Sequence, residues 1–202
     1  MLDLWLIRHG ETDWNTQGRI QGSSDQPLNA VGLCQARRLG ARLRGMRFDE
    51  VYASDLERAR VTAVTALPDA EVQLEERLRE LAYGIFEGKA WIELNEAEAA
   101  VAAHWREDPY RRRVPGGESY DDLLARFAAF RAELPKSGAV AAFSHGGTIR
   151  SALYGVVGRP QDGAWRLRID NTSITRLRFD ARGVTLVTVN DHAHLSNGVL
   201  KH

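Results

Sequence analysis

Cysteine is almost absent from this chain of 202 residues, and so is lysine. The one cysteine, Cys34, excludes an internal disulfide and a cysteine-based metal cluster. Only 3 of the 27 basic residues are lysines and the other 24 are arginines, so a single arginine is a weak signal of function. The chain also has no apolar stretch that approaches the roughly 18–20 residues needed to span a bilayer.

Charge of one sign is not in excess, since 27 acidic residues balance the 27 basic ones. A zero net charge gives no long-range attraction to nucleic acid or to anionic membranes, so we expect neither as a partner. The first residues read as a strand that contains Asp3, and they lack the basic and apolar regions of a signal peptide. We therefore expect a cytoplasmic globular protein, whose composition is compatible with a local basic pocket.

Signals for strands and helices alternate along the chain. A strand over 2–7 precedes a helix from Asn29 to about Arg44, and the apolar run Ala139–Phe143 is typical of a central strand covered on both faces. This alternation predicts a single α/β domain of three layers, α/β/α, with a mostly parallel central sheet. The other predicted strands are 51–53, 72–74, 165–169, 173–179 and 184–189; the other predicted helices run from Ser54 or Asp55 to about 67, over 90–107, from Ser119 to about 134 and over 147–154.

The most informative stretch is Arg8-His9-Gly10, which directly follows the first apolar strand. Ligands of open α/β sheets bind at the edge where the strands end, so these residues are expected at a ligand site. Arg8 offers a planar set of donors that suits phosphate, and a neutral His9 is a nucleophile near pH 7. Gly10 lets the backbone approach a ligand closely. A lone histidine after a strand is more often structural, so this motif alone assigns no reaction.

A second stretch, Ser144-His145-Gly146-Gly147, repeats the same arrangement of strand, histidine, glycine and helix. A helix N-terminus favours an anion because its N–H groups are unpaired and its dipole is positive there. Gly146, at the start of this helix, is therefore a candidate phosphate ligand. If the two strands lie side by side, His9 and His145 meet at one pocket.

Five sequence blocks, in this order, resemble the signature of the histidine phosphatase superfamily, also called the phosphoglycerate mutase-like family. The blocks are Arg8–Thr12, Ser54–Ala59, Arg79-Glu80, Pro115–Ser119 and Ser144–Gly147, and they span nearly the whole chain. The resemblance implies that the strands before His9 and His145 are neighbours at the centre of the sheet. It favours the phosphatase branch, because Gly84–Lys89 differs from the element that follows the acid residue in the mutases.

The resemblance also implies roles for individual residues. His9 is then the nucleophile that forms a phosphohistidine, and Glu80 gives a proton to the leaving oxygen and later takes one from water. His145 completes the catalytic set beside the phosphoryl oxygens. Spacing alone does not distinguish Glu80 from Glu75 and Glu76. The phosphate-binding residues implied are Arg8, Arg58, Asn15, Gln21 and Gly146. Because arginines and histidines supply the positive charge, we expect no metal and no other cofactor.

The sequence allows two interpretations of the role of each of two segments. Residues 84–117, called the lid segment below, carry Trp91, Trp105 and three consecutive arginines, 111–113. They form either a lid over the organic part of a substrate or an ordinary helix pair with a solvated arginine run. Residues 191–194 contain two histidines, and a structural role or a role at the site's rim is favoured there over a metal site.

The sequence thus predicts a phosphomonoesterase that acts on a small-molecule phosphate ester. The first alternative is a metal-free mutase of the same family, which returns the phosphoryl group to bound substrate instead of water. The second alternative is a non-catalytic phosphate-binding protein. The sequence assigns neither a physiological substrate nor an oligomeric state.

Overall fold

The computed structural model describes residues 1–159 and 167–196. The strands within these residues are β1 (Leu2–Arg8), β2 (Glu50–Ala53), β3 (Val72–Leu74), β4 (Gly138–Ser144), β5 (Ile174–Asp180) and β6 (Gly183–Asp191). They form one six-stranded sheet in the order β3-β2-β4-β1-β5-β6. The strands β3, β2, β4 and β1 are parallel to one another. The strands β5 and β6 form an antiparallel hairpin, in which β5 pairs antiparallel with β1.

The strands β1 and β4 lie side by side at the centre of the sheet and are paired in register along their whole lengths. Successive side chains of a strand point to opposite faces. Leu4 and Leu6 therefore pack on one face of the sheet, and Trp5 and Ile7 pack on the other. Burial on both faces explains why the sequences of these strands are almost continuously apolar.

Helices cover both faces of the sheet, which confirms the predicted three-layer α/β/α architecture. The helices are α1 (Asp13–Thr16), α2 (Ala30–Leu43), α3 (Glu57–Ala66), α4 (Glu96–Glu107), α5 (Tyr120–Glu133) and α6 (Gly146–Val157), with short 3-10 turns at Glu76–Leu78, Gly84–Phe86, Trp91–Glu93 and Ala193–Leu195. The helices α2 and α3 pack on the face that carries Trp5, and α5 and α6 pack on the face that carries Leu4.

Side-chain caps fix the starts of α2 and α5 where the sequence predicts them. The side-chain oxygen of Asn29 accepts the N–H of Gly32 at 2.8 Å. The hydroxyl of Ser119 accepts the N–H of Asp122 at 3.2 Å, and the Asp122 carboxylate accepts the N–H of Ser119 at 2.9 Å, which completes a capping box.

The predicted cap of α3 lies one or two residues too early. The helix begins at Glu57, after Leu56, and neither Ser54 nor Asp55 caps it. The Ser54 hydroxyl accepts the N–H of Leu56 at 3.3 Å, while the Asp55 carboxylate binds the guanidinium of Arg79 at 2.8 Å. Both side chains that favour a helix start are thus engaged in the turn before the helix.

The predicted helix over 90–107 is divided in the structure. A 3-10 turn ends at Glu93, and α4 begins after Asn95, whose side-chain oxygen accepts the N–H of Glu98 at 3.0 Å. A cap of this kind starts a new helix rather than continuing an old one.

The predicted strand over 165–169 is not formed where the structure describes it. Residues 165 and 166 lie outside the described residues, and 167–169 have no strand pairing within the described chain. The carbonyl of Leu167 accepts a bond from Arg150 Nε at 3.0 Å, and that of Ile169 accepts one from Arg8 Nη1 at 2.7 Å. Arginine side chains therefore bind the backbone carbonyls that would otherwise pair with a neighbouring strand.

The loop after β1 packs closely against the start of α2 through two glycines. A Cβ at Gly32 would lie 2.1 Å from the carbonyl oxygen of Glu11, and a Cβ at Gly10 would lie 2.7 Å from the carbonyl oxygen of Gly32. Both neighbours are backbone atoms, which move aside only if the loop itself shifts. The position of the loop that carries His9 therefore depends on these two glycines.

We expect Gly32→Ala to lower the free energy of unfolding by about 2 kcal/mol, because an added methyl group overpacks a backbone contact. The matched control is Gly155→Ala in α6, whose Cβ would meet the flexible side chain of Leu124 at 3.1 Å. Alanine is also the better helix former, which offsets that contact. Urea unfolding monitored by circular dichroism measures both variants, and equally small losses would contradict the tight packing at Gly32.

In the part of the chain that the structure describes, each helix is too short or too polar to cross a bilayer.

Candidate active site

The candidate site lies where the parallel strands end, at the carboxyl edge of the sheet. Arg8 and Ser144 are paired as the last residues of β1 and β4, so His9 and His145 follow side by side. The N–H of His9 donates to the carbonyl of Ser144 at 2.9 Å. The two imidazole rings are 5.1 Å apart between centroids, and both are buried.

The proton of His9 is fixed on one ring nitrogen. Nδ1 lies 2.6 Å from the carbonyl oxygen of Gly10, which can only accept, so Nδ1 carries the hydrogen and donates it. Burial lowers the pKa of His9 well below its ordinary value, and the charges of Arg58 and Arg8 lower it further. The ring is therefore neutral near pH 7, and its Nε2 presents a lone pair.

His145 takes the opposite tautomer. Its Nδ1 accepts a hydrogen bond from Arg58 Nε at 3.2 Å, so the hydrogen of the neutral ring is on Nε2. Burial, followed by the charges of Arg58 and His9, lowers the pKa of His145 well below its ordinary value. Among the described residues, Nε2 has no hydrogen-bond partner although it is buried. It is thus a donor available to a ligand oxygen.

Arg58 lies on the first turn of α3 and is fully buried. Its terminal nitrogens donate to the carbonyl of Ser24 at 2.8 Å and to the carbonyl of Gly22 at 2.7 Å. Burial lowers the pKa of Arg58 to about 10, against the opposing effect of the Glu80 carboxylate. The guanidinium therefore remains charged near neutral pH and holds a cation beside the two histidines.

Arg8 supplies the second guanidinium of the site. Its Nη1 donates to the carbonyl of Ile169 at 2.7 Å, while its buried Nε has no partner within the described residues. A Cβ at Gly146 would lie 3.5 Å from this Nε, so Arg8 is next to the N-terminus of α6. Burial lowers the pKa of Arg8, and Glu80 opposes that shift. Arg8 and Gly146 thus face the same small region as the histidines.

The carboxylate of Glu80 is held by two backbone N–H groups. Oε1 accepts from Leu81 at 2.9 Å, and Oε2 accepts from Gly147, in the first turn of α6, at 2.9 Å. A Cβ at position 147 would lie 2.2 Å from Oε1, so only glycine permits this approach. The carbonyl of Glu80 accepts a bond from Arg126 Nη2 at 2.8 Å. Both the backbone and the side chain of Glu80 are therefore fixed.

Asn15 and Gln21 lie near the loop that carries His9, with their amide oxygens turned into the protein. The Gln21 oxygen accepts from the Thr12 hydroxyl at 3.0 Å, and the Asn15 oxygen accepts from the Thr12 N–H at 3.1 Å. These bonds fix the two amide groups beside the loop that carries His9.

The three arginines at 111–113 lie on the surface and bind carboxylates. Arg113 binds Asp122 through two bonds of 2.7 and 2.6 Å, and Arg112 binds Glu107. Arg111 is exposed, 3.9 Å from Asp108. Of the two interpretations of this run, these contacts favour a solvated face.

The segment 191–194 contacts Thr172, whose N–H binds the backbone carbonyl of His9. His194 Nε2 lies 3.1 Å from the hydroxyl of Thr172, and His192 Nδ1 donates to the carbonyl of Asn190 at 2.8 Å. In the part of the chain that the structure describes, no three His, Cys, Asp or Glu side chains are grouped to hold a metal ion.

Sequence reasoning missed the residues that hold the backbone of His9. The carbonyl of His9 accepts from the N–H of Thr172 at 3.2 Å and from Asn171 Nδ2 at 3.0 Å. Thr172 has a φ of 56°, a left-handed conformation that is rare outside glycine and asparagine. Thr62 joins the loop to α3, since its hydroxyl accepts from the N–H of Gly10 at 2.9 Å and donates to the carbonyl of Arg58 at 2.6 Å. In the sequence, the only indication of these contacts is the pair Asn171-Thr172, which is typical of a turn.

The geometry as a whole fits a phosphoryl group. A buried imidazole with a free lone pair is surrounded by two guanidinium groups, a second imidazole with an unpaired N–H, and a helix N-terminus. Positive groups arranged in this way stabilise the oxygens of a phosphoryl group while an imidazole attacks phosphorus. The fold and the site therefore define an α/β protein of the kind that handles phosphoryl groups through a histidine.

The chain belongs to the histidine phosphatase superfamily, branch 1, whose profile matches residues 4–192. This match confirms the resemblance found in the sequence. Over 205 residues the chain is 35% identical to the "Probable phosphoglycerate mutase GpmB" of Salmonella choleraesuis (strain SC-B67), covering 96% of this chain and 95% of that protein.

Solved structures with this fold include two phosphatases. The alpha-ribazole phosphatase from Shigella flexneri superposes with a TM-score of 0.85 at 30% identity, covering 94% of this chain and 96% of that one. A variant of the phosphoserine phosphatase from Entamoeba histolytica, solved with phosphoserine, superposes with a TM-score of 0.82 at 30% identity, covering 97% and 100%. Both are therefore similar to this chain over more than nine-tenths of its length.

Proposed function

We propose that this protein is a phosphomonoesterase that hydrolyses small-molecule phosphate esters through a phosphohistidine at His9. The observation that carries the proposal is the fixed tautomer of His9: Nδ1 donates to Gly10, and Nε2 is left as a nucleophile beside Arg58 and His145. A non-catalytic phosphate-binding protein needs the cations but has no use for an imidazole held in this state. Membership of the histidine phosphatase superfamily supports the same reaction.

In the first step, the lone pair of His9 Nε2 attacks phosphorus and forms an N–P bond. The P–O bond of the ester breaks, and its electron pair stays on the leaving oxygen. Glu80, as a carboxylic acid, gives that oxygen a proton and becomes a carboxylate. Arg8, Arg58 and His145 stabilise the charge on the phosphoryl oxygens during the transfer.

In the second step, a water molecule attacks the phosphohistidine. The Glu80 carboxylate removes a proton from this water as the new P–O bond forms and the N–P bond breaks. Inorganic phosphate leaves, the lone pair returns to Nε2, and Glu80 is again protonated. The NH₂ groups of Asn15 and Gln21, together with the N-terminus of α6 at Gly146, complete the proposed phosphate ligands.

In our proposal the two ends of the lid segment, 84–117, and the aromatic side chains packed beside them form the wall of this site. These two ends meet, since the N–H of Ile85 donates to the carbonyl of Pro115 at 3.2 Å. Beside them, the hydroxyls of Tyr83 and Tyr120 lie 3.1 Å apart, and Tyr83 packs against Trp105. Burial, with the charge of Glu80, raises the pKa of Tyr83 to about 12, so its hydroxyl stays protonated. This wall would bind the organic part of the ester.

A mutase is the second candidate, because a relative of 35% identity is named as one. The two reactions share the first step and differ in whether water or bound substrate takes the phosphoryl group. The phosphatases among the structural neighbours support water as the acceptor.

Assays with 3-phosphoglycerate and with phosphoserine test this choice. We expect phosphate release from the better substrate to exceed isomerisation of 3-phosphoglycerate by at least about tenfold, because nothing in the proposed cycle retains the alcohol product. An Arg58→Ala preparation, purified in parallel, controls for contaminating phosphatases. Faster isomerisation than phosphate release would identify a mutase, and phosphate binding without either reaction would identify a binding protein.

A further inference from the structure

The orientation of Arg58 is set by the loop over residues 22–24. Three of the five guanidinium N–H groups are bonded within the protein, two of them to the carbonyls of Gly22 and Ser24 and one to His145. The remaining two N–H groups, one on each terminal nitrogen, have no acceptor among the residues that the structure describes and can bind phosphoryl oxygens. Any shift of the two carbonyls therefore turns the guanidinium away from its ligand.

A single carboxylate, that of Glu87, holds this loop. Its Oε1 accepts the N–H and the hydroxyl of Ser23 at 2.9 and 3.0 Å. Its Oε2 accepts the N–H and the hydroxyl of Ser24 at 2.9 and 2.6 Å. Oε1 also accepts the N–H of Tyr83 at 2.9 Å, which ties the carboxylate to the residue just before the lid segment. Hydrogen bonds to an ionised acceptor are stronger than neutral ones, so Glu87 fixes the loop firmly.

The backbone at Gly22 is shaped around this carboxylate. Gly22 has a φ of +54°, and a Cβ there would lie 2.1 Å from Glu87 Oε1. The loop thus approaches Glu87 more closely than a residue with a side chain allows. The charge of Glu87 also acts on Arg58, since it is among the carboxylates that oppose the lowering of the Arg58 pKa by burial.

We propose that Glu87 is a positioning residue for phosphoryl transfer: it holds the carbonyls of Gly22 and Ser24 in place, and through them the guanidinium of Arg58. Glu87 acts on the phosphoryl group only through Arg58. The lid segment, in which Glu87 lies, is thereby linked to the phosphate-binding arginine. This inference rests on the proposed function, because Arg58 has a catalytic task only if a phosphoryl group binds beside His9.

Glu87→Gln tests the proposal with little change of volume. One carboxylate oxygen becomes an NH₂ group, which cannot accept the N–H and hydroxyl of a serine. We expect kcat for p-nitrophenyl phosphate to fall about tenfold and the inhibition constant of orthovanadate to rise about tenfold, as is typical for loss of charge-assisted hydrogen bonds. A cooperative urea unfolding transition checks that the variant is folded, and we expect its midpoint to fall because these hydrogen bonds are lost.

Glu93→Gln is the matched control. Glu93 is a carboxylate of the same segment that binds Arg19 and the N–H of Ala90, outside the contacts of Glu87. We expect this variant to keep kcat and the vanadate constant within about twofold of wild type, as for a surface ion pair. Equal losses in the two variants would show a general effect of the segment and would overturn the proposal.

A double-mutant cycle with Arg58→Lys separates positioning from structural support. If Glu87 acts through Arg58, Glu87→Gln should change kcat by less than about twofold in the Arg58→Lys background, because the interaction is already lost. A tenfold loss in both backgrounds, or a wild-type kcat in Glu87→Gln, would overturn the proposal. Should Glu87→Gln fold poorly, Ser24→Ala removes a single hydrogen bond to Glu87, and we expect a loss of about threefold.

The same measurements distinguish a failure of the proposed function. A wild-type protein that binds orthovanadate but hydrolyses no phosphate ester would contradict the phosphomonoesterase proposal. In that case the dissociation constants of orthovanadate for Glu87→Gln and Glu93→Gln, measured by titration calorimetry, would still decide whether Glu87 positions Arg58.

Discussion

We expect a His9→Ala variant to hydrolyse p-nitrophenyl phosphate at least about 10⁴ times more slowly than the wild-type protein, as is typical when the nucleophile of a covalent mechanism is removed. His145 cannot replace it. Its Nδ1 is engaged with Arg58 Nε, and its Nε2 therefore carries the proton. The measurement is kcat from the release of p-nitrophenolate at saturating substrate.

His104→Ala is the control for this experiment. His104 lies on α4 with a side chain that is 70% exposed, and it should be dispensable. The His9→Ala variant should also fold, because its backbone carbonyl keeps the bonds from Asn171 and Thr172. Turnover near the wild-type rate in a folded His9→Ala variant would refute the assignment of the nucleophile.

The second large effect is expected for Glu80→Gln and depends on the leaving group. Loss of a general acid lowers the rate by about 10²–10⁴-fold when the leaving oxygen needs a proton, as in an alkyl ester such as glycerol phosphate. The p-nitrophenolate ion leaves without a proton, so the first step survives with that substrate. Attack by water still needs the base. A burst of p-nitrophenolate, equal in amount to the enzyme, should therefore precede a slow steady state.

Glu76→Gln controls for the loss of a nearby negative charge, since Glu76 is a neighbouring carboxylate with a side chain that is 76% exposed. It should behave as wild type with both substrates. Equal losses for alkyl and aryl esters in Glu80→Gln, without a burst, would mean that Glu80 is not the proton donor.

Local sequence pattern could predict the two strand ends that carry His9 and His145, whereas their adjacency and the roles of Arg58 and Glu80 came from the resemblance to the histidine phosphatases. Two apolar runs each end in a histidine and a glycine, and a strand that is buried on both faces lies near the centre of a parallel sheet. The register that pairs Arg8 with Ser144 then brings His9 beside His145. The helix caps Asn29 and Ser119 could also be predicted from local sequence, because the side chain of a cap binds a backbone N–H only three residues away.

The residues that orient the site could not be predicted in this way. Ser23 and Glu87 are 64 positions apart, and their contact joins a carboxylate to backbone N–H groups of a loop. No periodicity marks such a contact, because any short loop offers the same backbone groups. Asn171 meets the carbonyl of His9 across 162 positions for the same reason.

The wrong start of α3 has a related cause. Ser54 and Asp55 both have side chains that favour a helix start, but tertiary contacts compete for them. Asp55 binds Arg79, a residue that arrives from the turn after β3. The preference for a cap is worth about 1 kcal/mol, which one charged hydrogen-bonded pair can outweigh.

Rapid-quench mass spectrometry during turnover of p-nitrophenyl phosphate tests the central claim most directly. The protein is denatured at alkaline pH, where a phosphohistidine survives, and is digested and sequenced by fragmentation. We predict one added phosphoryl group on His9 in the wild-type protein, with a larger fraction in Glu80→Gln and none in His9→Ala. Phosphate released with no phosphorylated His9 at any quench time, or a phosphoryl group on another residue, would contradict the account.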